Sequence, residues 1–212
     1  MELFEEPAQG NRTLGSGTVL LGGFARDNAG ELLAAIRLVE SDAPFRRMTT
    51  PGGWQMSVAM TNCGARGWTT DRKGYRYVAH DPQTDRAWPA MPAVFEKLAR
   101  HAAKEAGYSG FEPDACLINR YEPGARLSLH QDRNERDMSA PIVSVSLGLP
   151  ATFLWGGSLR SQRPEKLRLL HGDVMVWGGV DRLTFHGVEA LAEGDHSEAG
   201  RFRFNLTFRK AG

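Results

Sequence analysis

The segment from Arg201 to Arg209, "RFRFNLTFR", alternates without a fault. Phe202, Phe204, Leu206 and Phe208 take one set of alternate positions; Arg203, Asn205, Thr207 and Arg209 take the other. A strand places each set on its own face, and a helix would scatter both. The apolar face belongs to a core. The polar face is turned to water or lines the interior of a closed β-structure.

Other short runs share this character: "ACLINRY", "RLSLHQD", "IVSVSLGL", "ATFLW", "DVMVWG" and "RLTFHGV", separated by Gly, Pro and Asn. Many short strands at this rhythm predict a sandwich, jelly roll or barrel. Two helices precede them. Residues 28–40 carry Leu32, Leu33, Ile36 and Val39 at helical spacing, with Asn28 as the N-cap. Residues 91–107 read as a second amphipathic helix, with Pro92 in its first turn and Gly107 as its stop. Between them lies a Gly-, Thr-, Trp- and Tyr-rich stretch in which Met56, Val58 and Met60 alternate with polar or small neighbours, as in a strand. The expected organisation is a single α+β domain. It has an N-terminal extension and helix (about 1–45), an inserted polar-aromatic flap (about 46–90), a supporting helix (about 91–112) and a β core (about 113–212).

The chain's bulk properties exclude more than they select. A net charge of +1 gives no global pull on nucleic acid, so an anionic partner must be read from a local patch. Cys63 and Cys116 are two distant cysteines and make neither a disulfide framework nor a zinc cluster; they read as buried thiols. The acidic start "MELFEEPAQGNRT" lacks a signal peptide's basic start and apolar run, and no apolar run reaches membrane-spanning length. The expectation is a cytoplasmic protein with no membrane partner, and a monomer in the absence of heptads.

Three His-x-acid pairs occur: His130/Asp132, His171/Asp173 and His196/Glu198. Six histidines and 25 acidic residues produce about 0.7 such pairs by chance, so the motif alone is weak. Context separates them. His130 and Asp132 continue the alternation of Leu127, Ser128 and Leu129 and project from one face. His171-Gly172-Asp173 reads as a turn, and His196-Ser197-Glu198 as a solvated acidic loop. His186, on a later strand, supplies a second imidazole. Two imidazoles and one carboxylate form the facial set that leaves positions open on Fe(II); the bland alternative is a pair of hydrogen-bonded core histidines. Arg203 and Arg209 on a cavity-lining face would require an anion. Asn119 and Tyr121 share a face just before the His130 strand. Together these groups suit a small dicarboxylate beside a metal.

At this point the sequence resembles the AlkB family of Fe(II)/2-oxoglutarate-dependent dioxygenases, in its bacterial DNA-repair form. The likeness runs nearly end to end through "APFRRM", "TPGG", "MSVAMTNCG", "GWTT", "WPAMP", "PDACLINRYEPGA", "LSLHQD", "PIVSVSLGLPA", "HGDVMVWGG" and "RFNLTFR". It implies a double-stranded β-helix (jelly-roll) core with N-terminal supporting helices and a nucleotide-recognition flap. It implies Fe(II) on His130, Asp132 and His186, with 2-oxoglutarate and O2 as co-substrates. Arg203 would pair with the carboxylate near the metal. Arg209, with Asn119 and Tyr121, would hold the other end, and Asn205 would complete the pocket. The implied activity is oxidative demethylation of 1-methyladenine- and 3-methylcytosine-type bases in single- or double-stranded DNA, and in RNA besides.

The flap then acquires a reading. "ARGWTTDRKGYRY" interleaves Arg66, Arg72, Lys73 and Arg76 with Trp68, Tyr75 and Tyr77. Aromatic faces stack on bases, while cations and hydroxyls contact phosphates. By the resemblance, Trp68 stacks on the damaged base opposite His130, Tyr75 and Tyr77 contact phosphate and sugar, and Arg160 reaches the base. Asn134 stands where well-known bacterial members carry an aspartate, which predicts an altered balance between methylated adenine and cytosine. Two competitors remain: a dioxygenase acting on a protein or small molecule, and a non-catalytic jelly-roll module that binds nucleic acid.

Overall fold

The computed structural model describes residues 10–212; the first nine, on which most of the N-terminal reading rests, lie outside the described residues. Thirteen strands and two α-helices follow in the order β1 (Arg12–Gly15), β2 (Thr18–Leu21), α1 (Ala29–Asp42), β3 (Ala59–Gly64), β4 (Gly67–Asp71), β5 (Gly74–Val78), α2 (Ala93–Glu105), β6 (Ala115–Tyr121), β7 (Leu127–His130), β8 (Ile142–Gly148), β9 (Ala151–Trp155), β10 (Glu165–Leu169), β11 (Val174–Trp177), β12 (His186–Val188) and β13 (Arg203–Arg209). A seven-stranded sheet in the order β1-β2-β11-β8-β13-β6-β3 faces a four-stranded sheet in the order β10-β9-β12-β7. All pairings are antiparallel. This is the expected jelly roll.

The two faces of the large sheet bury different chemistry. One face presents Ile118, Val143, Val145, Val174, Leu206 and Phe208 to α1 and α2. Phe95 of α2 meets Phe208 edge-on at 6.0 Å, and burying each ring contributes about 1.5–3 kcal/mol. The other face looks across to the small sheet. Leu20, Leu117, Met175 and Trp177 pack there with Phe153, Trp155, Leu167 and Leu169. At its centre this inner face is polar: Asn119, Ser144, Ser146, Arg203, Asn205, Thr207 and Arg209 are all buried.

Local structure departs from expectation in several places. Asn28 precedes α1 but makes no side-chain cap; a single 3-10 turn, Arg26–Asn28, leads the chain in. Pro92 immediately precedes α2 rather than sitting within its first turn. Gly107 does end that helix, at φ +91°, with Tyr108 N–H donating to the Ala103 carbonyl at 2.8 Å. The strand read through Met56 and Val58 begins only at Ala59, and it joins the large sheet beside β6. The 46–90 segment is therefore part core and part flap. The sequence reading also missed the β1–β2 hairpin, which extends the large sheet through β11, and β10. The run "RLTFHGV" is extended only over His186–Val188, because a 3-10 turn at Gly179–Asp181 precedes it.

The flap is the two-stranded β4–β5 ribbon. It is held to the body by Trp88, whose indole lies where a Cβ on Gly67 would collide at 2.3 Å. The indole N–H donates to the Val78 carbonyl at 3.1 Å. Nearby, Arg46 grips Asp81 with both terminal nitrogens at 2.6 Å.

Candidate active site

The strand pairing brings His130 and His186 together. They are direct partners in the β7–β12 ladder, with ring centroids 4.4 Å apart. Asp132 lies two residues past the end of β7. One ligand atom from each of the three comes within 4.8 Å of the others. Each imidazole Nδ1 faces a carbonyl: His130 that of Ser128 at 2.8 Å, His186 that of Thr184 at 3.0 Å. A carbonyl only accepts, so both Nδ1 atoms carry the proton and both Nε2 atoms offer a lone pair. Those Nε2 atoms stand 3.8 and 3.9 Å from the Asp132 carboxylate. That is too far for a hydrogen bond and leaves room for an ion between them. Both histidines are hydrogen-bonded through Nδ1, and their Nε2 atoms beside a carboxylate form a set that could hold an ion.

The electrostatics suit ligation. Burial, and then the neighbouring His130, push the His186 imidazole down to about 4, so it is neutral near pH 7. Burial alone would favour a protonated Asp132. Arg209 and the two imidazoles outweigh it and hold the carboxyl well below its ordinary range. Arg209 donates to Asp132 Oδ2 from Nε at 3.0 Å and Nη2 at 2.6 Å.

The polar inner face of the large sheet continues the same cavity, of about 870 Å³. Arg203 is 1% exposed. Its Nη2 donates to Ser146 Oγ at 3.0 Å, and its guanidinium lies 5.0 Å from the Tyr121 ring centroid. Among the described residues, its Nε and Nη1 have no hydrogen-bond partner, nor does Asn119 Oδ1. Burying guanidinium donors without acceptors is costly unless an anion completes them. Asn205 is fully engaged: its amide donates to Ser144 Oγ and the Val145 carbonyl, while its Oδ1 accepts from Asn119 and Thr207. It orients the cavity wall and has no donor left over. Burial pushes the Tyr121 hydroxyl up to about 12, against the nearby Arg203, so it remains a donor.

This geometry reverses one expectation. Arg209 stands at the metal end, bonded to Asp132, whereas Arg203 pairs with Tyr121 across the β13–β6 ladder. The two side chains share a face, as the alternation required. Which of them adjoins the metal depends on the direction of β13 relative to β7 and β12.

Trp68, Tyr75, Asn134 and Arg160 line the mouth of the cavity. Trp68 stacks on Tyr75 at 5.7 Å and directs its indole N–H at Asn134 Oδ1, 3.4 Å away. The Arg160 guanidinium lies 6.0 Å from the Phe185 ring. Tyr77 does not behave as expected: its hydroxyl donates to Glu135 Oε1 at 2.7 Å and is not presented to a phosphate. Arg76 is paired with Asp71 inside the ribbon. Trp177 was not foreseen; it packs edge-on against His186 at 5.1 Å and has an unpartnered indole N–H.

The other two His-x-acid pairs do not join the site. Gly172 adopts φ +86°, and Asp173 accepts from the Leu170 and Gly23 amides, which is turn chemistry. His196 is half-buried and stacked on His171 at 4.3 Å, so it is not merely solvated. Cys63 and Cys116 are buried free thiols, as expected.

A jelly roll with this facial triad and an anion-hungry inner wall is the architecture of a 2-oxoglutarate-dependent iron oxygenase. The family model of the 2OG-Fe(II) oxygenase superfamily matches residues 17–209. The alpha-ketoglutarate-dependent dioxygenase AlkB of Salmonella typhimurium is 56% identical over 211 residues, covering 100% of this chain and 98% of that protein. The DNA N(6)-methyladenine demethylase ALKBH1D of Arabidopsis thaliana is 34% identical over 173 residues, 69% of this chain and 38% of its own length. The structure of OsALKBH1 superposes with a TM-score of 0.83 at 28% identity, covering 96% of this chain and all of that one. The chain belongs to the AlkB family of these dioxygenases, which use Fe(II), 2-oxoglutarate and O2. The donor set fits both groups: two imidazole lone pairs and a carboxylate for the ion, and unpartnered buried donors for a dicarboxylate.

Proposed function

We propose that the protein removes methyl groups oxidatively from ring nitrogens of nucleic-acid bases, in DNA and also in RNA. The observation that carries this reading is the placement of Trp68 and Tyr75 at the mouth of the cavity that ends at His130, Asp132 and His186. A base inside a duplex cannot reach such a site, so it enters flipped or from a single strand. Trp68 supplies a stacking face, and Asn134 and Arg160 supply polar contacts at its edge. His130, Asp132 and His186 would hold Fe(II). Arg209 would steady Asp132 and the nearer carboxylate of 2-oxoglutarate, and Arg203 with Tyr121 would hold the farther one.

When bound, iron with 2-oxoglutarate and O2 supplies the oxidation: one oxygen atom enters the N-methyl C–H bond and the other converts 2-oxoglutarate to succinate and carbon dioxide. The hydroxymethyl group then leaves as formaldehyde, and the ring nitrogen regains its unalkylated form. The chain's own part is to orient the methyl group, exclude bulk water and keep both Nε2 lone pairs available.

The test uses an oligonucleotide with one 3-methylcytosine, Fe(II), 2-oxoglutarate and ascorbate, followed by mass spectrometry. Loss of one methyl group is expected with the wild type and not with His130→Ala. Succinate formation that the oligonucleotide does not raise, without methyl loss, would move the substrate to a protein or small molecule. Absence of both would favour a binding module.

A further inference from the structure

Tyr77 leaves the substrate surface to reach a buried ring of charges. Glu135 is the hub, its side chain 2% exposed. Glu135 Oε1 accepts from the Tyr77 hydroxyl at 2.7 Å and lies 3.4 Å from Arg209 Nε. Its Oε2 accepts from Arg182 Nη2 at 3.1 Å. Arg182, itself buried, donates to the Asp132 carbonyl at 2.7 Å and to the Ala140 carbonyl at 3.0 Å. Arg209 closes the ring on the Asp132 carboxylate. Two carboxylates and two guanidiniums thus balance one another around the backbone and side chain of a single residue.

No strand or helix of the described residues places that aspartate. β7 ends at His130, and residues 131–139 contain no strand or helix. The two histidines are fixed by their ladder, but Asp132 lies beyond it. Both oxygens of the buried Glu135 carboxylate are engaged, so its geometry is held tightly. Tyr77 ties β5 of the flap to this ring.

We propose that Glu135 and Tyr77 are positioning residues that lock the flap to the iron ligand Asp132, so that metal binding and flap order favour one another. The inference rests on reading the triad as the iron site and requires no nucleic acid. Coupling of this kind is reciprocal: what the flap does to metal affinity, the metal does to the flap.

The test titrates Co(II) alone into the metal-free full-length chain, followed by calorimetry and visible absorption. Glu135→Gln is expected to weaken Co(II) binding roughly 10- to 100-fold, as removal of partners behind a ligand does. Tyr77→Phe, which keeps the ring and loses only the hydroxyl, should weaken it about threefold and alter the Co(II) spectrum. Amide exchange over residues 67–78 should slow when Co(II) binds to the wild type and not to Tyr77→Phe. With methylated oligonucleotide, Tyr77→Phe should lower kcat and leave KM unchanged. Unaltered Co(II) affinity and spectrum in Tyr77→Phe, with flap exchange indifferent to Co(II), would overturn the proposal. A raised KM with intact kcat would do the same and make Tyr77 a substrate contact. Should Glu135→Gln fail to fold, Tyr77→Phe decides alone.

Discussion

The inner face of the large sheet and the flap above it are both rich in polar and aromatic groups, but they hold them differently. On the sheet, Arg203, Asn205, Thr207 and Arg209 are between 1% and 7% exposed, and most of their polar atoms are hydrogen-bonded to other buried groups, Arg203 Nε and Nη1 excepted. On the flap, Tyr75 is 47% exposed, and the Trp68 indole N–H makes a long contact to exposed Asn134. Burial makes unpaired donors costly and therefore selective for one small anion. Exposure makes stacking surfaces adaptable and tolerant of different bases. On the proposed function, co-substrate chemistry falls to the rigid wall and substrate choice to the ribbon.

The sharpest way to break that assignment is at Arg203. Arg203→Met should reduce 2-oxoglutarate affinity at least 100-fold, on the order of the loss of a buried bidentate ion pair. It should also leave the free protein as stable as before, or more stable by about 1–4 kcal/mol, because a guanidinium with unmet donors is replaced by an apolar chain. Thermal melts with and without 2-oxoglutarate would check both parts. A large drop in melting temperature without ligand would mean that Arg203 is structural.

At Trp68 the effect should be smaller and confined to the nucleic acid. Trp68→Ala should raise KM for a methylated oligonucleotide about 10- to 100-fold, the range for one lost base stack. Affinity for 2-oxoglutarate should be unchanged. Equal losses for both ligands would erase the distinction between wall and ribbon.

The flap's attachment should also respond to acid. Burial raises the Asp81 carboxyl, but the Arg46 pair outweighs it and leaves it below its ordinary range. A carboxylate with a depressed native pKa contributes stability above its unfolded value, near 3.8, and that contribution is lost as pH falls through the native one. Amide exchange in the flap should therefore be steady from pH 7 to about 5 and accelerate below about 4, after normalising for intrinsic rates. Acceleration already at pH 6 would place the clamp elsewhere.

The smallest effect is expected at the cavity mouth. The Asn134 Oδ1 faces the Trp68 indole N–H, which leaves its amide donors free for another acceptor at the cavity mouth. Asn134→Asp would leave only acceptors there. The ratio of rates on 1-methyladenine and 3-methylcytosine should shift a few-fold, about 1 kcal/mol for one hydrogen bond. An unchanged ratio would remove Asn134 from specificity.

What could be read from the sequence followed from periodicity and spacing. The alternation in β13 predicted both its core face and its polar face, and the burial of Arg203 and Arg209 decided between water and cavity. The pairing of His130 with a distant His186 was legible because few other imidazoles were available. The β1–β2 hairpin escaped because two four-residue strands carry too little pattern, and β10 because "EKLRL" reads as surface charge. The positions of the two arginines relative to the triad were inverted because strand direction is a property of the whole sheet. Glu135 and Arg182 were invisible because their partners lie 47 residues apart and across the fold.

The most direct measurement is succinate production by the wild type, Arg203→Met and Trp68→Ala, with and without a 3-methylcytosine oligonucleotide. The account predicts that Trp68→Ala retains the slow, substrate-free turnover of 2-oxoglutarate but loses its stimulation by the oligonucleotide, while Arg203→Met loses both. If Trp68→Ala also lost the substrate-free turnover, or Arg203→Met kept it, the division between wall and ribbon would be contradicted.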